Sequence, residues 1–195
     1  MIENTFCTIK HLDPEQAADR VFSINLAATS LDDEQLLEFV MERLSHYQIP
    51  PQAICFEISE SAAALSLRQA SQFIEGLHEL GCLVALDDFG TGLSSLAHLK
   101  SLNVDYLKIA APFVRDIARD EVSAAMVGAI GSIAKLMGIQ TVAEFVTTPD
   151  AMQRLRDMGI SYLQGYAIAK PQPFAEAANW MYERDLPDSS PLLSA

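Results

Sequence analysis

Helix, glycine, strand: this order recurs along the chain at Gly81, Gly138 and Gly159, and it restricts the architecture more than any other feature. Each glycine closes an amphipathic run in the manner of a C-cap, and a β-rich run follows at once. Candidate strands are Val21–Leu26, Ile54–Ser59, Leu83–Phe89, Tyr106–Ala110, Thr141–Val146 and Tyr162–Ile168. Helical spacing runs from Leu31 through Leu44 and over Ser66–Leu80, Glu121–Met137, Pro149–Met158 and Phe174–Arg184. Strands alternating with helices in this way make βα units and a parallel sheet. No strand is followed by G-x-G-x-x-G, the mark of a dinucleotide-binding open sheet. Instead a polar residue stands at or near the C-terminal end of each strand: Asn25, Glu57, Asp87 with Asp88, Lys108, Glu144 and Gln164. Barrel enzymes assemble their sites from that position on several strands. The expected fold is α/β, an incomplete TIM-like (β/α)8 barrel with about six βα units. Such barrels take ~250 residues, so 195 residues imply one domain, 1–184, lacking about its first two strands. Residues 185–195, with Pro187, Pro191 and three serines, are expected to form a flexible C-terminal tail.

Charge narrows the partners. The chain carries 26 Asp+Glu against 13 Lys+Arg, a net charge of −13, and is 50% hydrophobic. It can bury a core, and it is a poor match for a DNA or RNA polymer, whose phosphates call for Lys and Arg. An acidic protein that handles phosphate needs bound cations to do so. Met1-Ile2-Glu3-Asn4 lacks the basic and apolar regions of a signal peptide. The longest apolar stretch, Ala124 to Ile139, is interrupted by Gly128, Gly131, Ser132 and Lys135, too short and too broken for a membrane segment. Cys7, Cys55 and Cys82 are odd in number, show no CxxC spacing and read as buried thiols of a reduced compartment. A cytoplasmic location is expected, although a longer parent protein could be membrane-anchored. His11, His46, His78 and His98 have no ligand spacing, and Trp180, Phe174 and Tyr182 read as packing for the last helix.

At the strand ends, four carboxylates and an amide are expected to converge on one mouth of the barrel. Carboxylates that close raise one another's pKa unless cations intervene. Oxygen ligands without Cys or His select Mg²⁺, Mn²⁺ or Ca²⁺ over zinc. The tandem Asp87-Asp88 suits two metals, one carboxylate bridging ions ~3.5–4 Å apart. Lys108 could orient a nucleophilic water or offset charge on a phosphorane. Taken singly each residue has a plainer reading: Asn25 as a turn residue, Glu57 as a solvated charge, Asp87-Asp88-Phe-Gly as turn chemistry, Lys108 as a snorkelling stem, Gln164 beside Gly165 as a bulge. Their joint occurrence on successive strands favours the site.

These residues carry a resemblance to the EAL family, bacterial phosphodiesterases that open cyclic di-GMP to linear pGpG. Ser23-Ile-Asn-Leu-Ala resembles the family's S-x-N-L-S strand, and Phe56-Glu-Ile-Ser-Glu60 its E-[IL]-[TS]-E strand. Ala85-Leu-Asp-Asp-Phe-Gly-Thr-Gly-Leu-Ser-Ser-Leu96 is similar to its DDFGTG-x-SS segment, with Val104-Asp105-Tyr106-Leu107-Lys108-Ile109, Ala143-Glu144-Phe145-Val146, Gln164-Gly165-Tyr166 and Lys170-Pro171 downstream. The resemblance runs from about Ile2 to Pro173. It implies a two-metal site for Mg²⁺ or Mn²⁺, with Asn25, Glu57 and Asp87 on the first ion. Asp87 would bridge to the second, completed by Asp88 and Glu144. It further implies that Lys108 holds the attacking water, that Gln164 lies beside metal or substrate, and that Glu60 anchors the loop from Phe89 to Ser95, which couples the site to dimerisation.

Three departures temper that implication. The Glu-Ala-Leu tripeptide, whose Glu is a metal ligand, is absent; the family's K-I-D reads Lys108-Ile109-Ala110; and its second glutamate after A-E-x-V is Thr147. Phe145 stands where many members have Gly. Losing one positioned acid–base group typically lowers a rate ~10²–10⁴-fold, so hydrolysis by this chain is expected to be absent or very slow. The alternative is a degenerate domain that binds cyclic di-GMP, or only a protein partner, and signals without hydrolysis. An unrelated metal-dependent barrel of the enolase type does not account for the DDFGTG segment. Six strands of eight would leave two open edges, so a homodimer is expected unless the N-terminal helix covers the gap.

Overall fold

A computed structural model describes residues 1–12, 20–33, 35–92, 95–174 and 176–177. The helices are α1 (Ile2–Lys10), α2 (Leu36–Tyr47), α3 (Glu60–Leu65), α4 (Leu67–Glu79), α5 (Ser95–Leu99), α6 (Ala111–Val114), α7 (Glu121–Met137) and α8 (Pro149–Asp157). The strands are β1 (Phe22–Leu26), β2 (Ile54–Ser59), β3 (Leu83–Phe89), β4 (Tyr106–Ile109), β5 (Gln140–Ala143) and β6 (Tyr162–Leu163). They form one sheet in sequence order, β1-β2-β3-β4-β5-β6. Registered pairs are parallel, Asn25 opposite Glu57 on β1 and β2, Lys108 opposite Val142 on β4 and β5, Ala143 opposite Leu163 on β5 and β6. Among the described residues the fold is thus α/β, with six strands in one sheet.

Two compact units divide the chain: Met1–Leu86 with Gly92–Val104, and Asp87–Thr91 with Asp105–Ala195. In the first, α1 buries Ile2, Phe6 and Ile9, spaced for one helix face, against α2, which buries Val40 and Leu44. The Tyr47 hydroxyl donates to Glu3 Oε1 at 2.6 Å across this pair. β2 is buried from Ile54 to Ile58, as a strand covered on both faces must be. In the second unit, Asp120 caps α7 by accepting from the Val122 N–H at 3.0 Å, and Thr148 caps α8 by accepting from the Ala151 N–H at 3.2 Å.

The recurrent glycines behave as one device. After α4, the Cys82 N–H reaches Leu77 O and the Gly81 N–H reaches His78 O. Ile139 to Ala134 and Gly138 to Lys135 repeat the pattern after α7; Ile160 to Leu155 and Gly159 to Arg156 repeat it after α8. This is the Schellman closure, and the left-handed turn it needs is supplied by φ of 87°, 74° and 76° at the three glycines. The residue after each glycine is buried beside a buried helix residue, so the chain enters the next strand already packed.

Several expected boundaries shift. The run from Leu31 is a 3-10 turn over Ala28–Asp32, and α2 begins only at Leu36. Ser66, with φ −151° and ψ 89°, separates α3 from α4. β4 ends at Ile109 rather than Ala110. β5 stops at Ala143 because Phe145 turns left-handed at φ 55°. β6 stops at Leu163 because Gly165, at φ 150°, lies against the Val146 backbone. Cys7 is exposed rather than buried, since it occupies the outer face of α1; Cys55 and Cys82 are buried. The proposed tail 185–195, Trp180, Tyr182 and most of the expected last helix lie outside the described residues.

Candidate functional site

The second unit gathers Asp87, Asp88, Lys108 and Glu144. Lys108 lies on β4 flanked by buried apolar neighbours, and it is only 5% exposed. An ammonium taken that far from water needs anionic partners. Asp87 Oδ1 at 3.1 Å and Glu144 Oε1 at 3.0 Å meet that need. Glu144 follows β5 directly, and its N–H reaches Ile109 O at 3.4 Å, which ties its backbone to the end of β4.

Asp88 is placed by a strained backbone. Its φ is 56°, a conformation that Asp tolerates better than most residues. The Asp88 N–H donates to Asp87 Oδ1 at 3.0 Å, and the Thr91 hydroxyl donates to Asp88 O at 3.0 Å. The strand therefore bends as it ends, and the two consecutive carboxylates are held on the same cluster instead of opposite faces. Gly90, at φ 101°, leaves room for the Phe113 ring where any Cβ would stand.

Oxygen ligands from Asp87, Asp88 and Glu144 lie within 4.8 Å of one another. This donor set, all carboxylate with neither imidazole nor thiolate, fits a hard divalent cation. Gln164 joins the neighbourhood through its backbone: its N–H reaches Ala143 O at 2.8 Å, and its carbonyl accepts from the Val146 N–H at 3.0 Å.

The first unit holds the remaining expected residues. Asn25 is exposed on β1, and its registered partner Glu57 is 6% exposed on β2. Glu60, at the start of α3, is 3% exposed and accepts from the Gly92 N–H at 3.4 Å. A side chain at residue 92 would run into that carboxylate. Of the two departures that are substitutions, Ala110 is fully buried and donates its N–H to Phe89 O at 3.2 Å, whereas Thr147 is exposed.

Two features escape a reading of strand ends alone. One is the ion-paired triad of Asp87, Lys108 and Glu144, which strand-end polarity suggests but cannot pair. The other is Phe145, half-exposed beside Glu144 with the Arg115 guanidinium 5.2 Å from its ring centroid.

Comparison with known proteins gives a consistent answer. The model of the EAL domain family matches residues 1–171. The cyclic di-GMP phosphodiesterase PdeB of Shewanella oneidensis is 41% identical over 157 residues, which is 80% of this chain and 18% of that protein. The chain thus spans about a fifth of the length of the curated relatives it matches. Among solved structures, the EAL domain of FimX from Pseudomonas aeruginosa, bound to c-di-GMP, superposes with a TM-score of 0.81. It is 27% identical and covers 88% of this chain and 68% of its own. A manganese and cyclic di-GMP complex of BlrP1 from Klebsiella pneumoniae gives a TM-score of 0.76 and 27% identity over 85% of this chain and 42% of its own.

Proposed function

The chain belongs to the EAL domain family, and from that premise we propose that it is a metal-dependent cyclic di-GMP phosphodiesterase domain of bacterial second-messenger signalling, in which hydrolysis to pGpG is slow or absent. The observation that carries the reading is Lys108 held between Asp87 and Glu144, with Asp88 completing the carboxylate cluster.

Asp87, Asp88 and Glu144 would hold Mg²⁺ or Mn²⁺, as their oxygen-only donor set suits. When bound, such ions supply positive charge to the phosphoryl oxygens and a nucleophile usable at neutral pH. Asn25 and Glu57 are assigned as further ligands on the resemblance alone. The Lys108 ammonium orients the attacking water and offsets the charge that builds on the phosphorane. Gln164 bears on the substrate, and Glu60 steadies the loop through Gly92. The assigned unit of function is residues 1–184, working in the cytoplasm. Among the described residues no helix is long and apolar enough to cross a membrane.

Ala110 is the specific reason for a slow rate. Its methyl is fully buried two residues beyond Lys108, where the family's K-I-D places a carboxylate. The same residue favours a second reading, a receptor that binds cyclic di-GMP or a protein partner without cleaving it.

One pair of measurements separates them. Calorimetry with cyclic di-GMP, with and without Mn²⁺, reports binding, and chromatography of the products reports hydrolysis. Turnover near 1 s⁻¹, the low end of ordinary enzymes, would contradict a slowed enzyme. Binding without detectable product supports the receptor. Ala110→Asp combined with Thr147→Glu is expected to raise turnover by ~10²-fold, the lower range for one positioned acid–base group. An Asp at position 110 also meets a backbone suited to it, since Ala110 is the uncapped N-cap of α6 with φ −60° and ψ 148°.

A further inference from the structure

Building on the metal-site reading above, we propose that Lys108 is a built-in counter-ion that competes with divalent cations for Asp87 and Glu144 and so sets how weakly the site holds them. The same two carboxylates that would ligate a cation are each within 3.1 Å of the Lys108 ammonium. Both belong to the cluster whose ligand oxygens lie within 4.8 Å of one another. A cation seated among those oxygens therefore meets a buried positive charge in contact with its own ligands.

Counting charges gives the sign. Three carboxylates and one ammonium sum to −3 + 1 = −2, which one divalent ion neutralises. Without the ammonium the cluster carries −3 and attracts the ion more strongly, because cation affinity in oxygen-ligand sites follows ligand charge. Burial sharpens the effect. Lys108 is 5% exposed, and the side chains of Asp87 and Glu144 are 17% and 12% exposed, so water screens the repulsion poorly. The lysine thereby has two consequences in one position. It keeps the carboxylates close together without a metal, and it weakens the metal that the reaction needs.

The test is Mn²⁺ titrated calorimetrically into the full chain as wild type, Lys108→Gln and Lys108→Arg. Lys108→Gln is expected to bind Mn²⁺ at least about tenfold more tightly, following the lost positive charge. Lys108→Arg, which keeps the charge, should stay near wild type. Equal or weaker binding by Lys108→Gln, with wild type binding normally, overturns the counter-ion and leaves the metal site standing. Heat from neither protein removes the metal site and the counter-ion together. A measurement on wild type alone guards against a misfolded variant. In lysine-ammonium nuclear magnetic resonance, saturating Mg²⁺ should shift the Lys108 Nζ signal or speed its exchange with water, while exposed Lys135 stays fixed. An unmoved Lys108 signal overturns the proposal.

Discussion

Burial pushes the Cys82 thiol from 9.0 up to about 12, whereas Cys7 sits exposed on α1. Only the thiolate attacks alkylating or disulfide reagents. At pH 8 the native chain should therefore react once, at Cys7, and three times after denaturation; more than one fast thiol in the native chain would contradict the buried positions of Cys55 and Cys82. The same shift makes stability fall with alkali. Between pH 9 and about 12 the unfolded chain loses its Cys82 proton while the folded chain keeps it, so folding is progressively disfavoured there and unaffected below. Urea unfolding at pH 8 and pH 10, compared for wild type and Cys82→Ala, isolates this contribution: only wild type should carry it. Residue chemistry was unevenly legible. Asp87, Asp88, Lys108 and Glu144 declare themselves as polar groups ending apolar strands. The left-handed backbones of Asp88 and Phe145, at φ 56° and 55°, do not, because neither is a glycine, the residue that announces such a conformation in sequence.

At the level of elements, α2 ends in the same closure as the three glycine-capped helices, with Gln48 in the glycine's place. Its φ is 56°, the Ile49 N–H reaches Leu44 O at 3.1 Å and the Gln48 N–H reaches Ser45 O at 3.2 Å. A side chain in this conformation costs ~1–2 kcal/mol, and glycine gives back ~0.4–1 kcal/mol through the unfolded chain. Gln48→Gly should thus raise stability by roughly 0.5–1 kcal/mol. Gly138→Ala should lower it by a similar amount; no atom lies within 4 Å of the added methyl, so backbone strain acts alone. Opposite shifts in the urea midpoint check the pair, and shifts of the same sign would refute the shared geometry. This explains what was readable at this scale. Glycine announces a helix end in sequence, so α4, α7 and α8 were placed within a residue or two, but a glutamine in the same role is silent. Strand ends failed for a related reason. Apolar alternation continues past Ala143 and Leu163, yet Phe145 turns away and Gly165 has the Val146 backbone where its Cβ would be.

For the molecule as a whole, two tendencies oppose each other. Among the described residues the six-stranded sheet has β1 and β6 at the ends of its order, and Val21, immediately before β1, is 38% exposed. A strand at the end of a sheet is where a second copy can add by backbone pairing. Against this stands a net charge of −13, which repels a second copy over a distance set by salt, ~30 Å at 0.01 M and ~8 Å at physiological ionic strength. Backbone pairing at an edge is short-ranged and is not screened in that way. The proposed homodimer of the 195-residue chain should therefore be salt-dependent, with mass near the 21.3 kDa monomer at low salt and moving toward twice that as salt rises. Sedimentation velocity at fixed protein concentration across that range reads the shift. Val21→Lys places a charge beside the edge and should hold the chain monomeric throughout, while Leu136→Lys, on an exposed position of α7, should leave the transition in place. A transition abolished by Leu136→Lys and not by Val21→Lys would move the interface from the sheet edge to the helix. A monomer at every salt concentration, with the charge repulsion screened at the upper end, would mean that the sheet edge does not drive association.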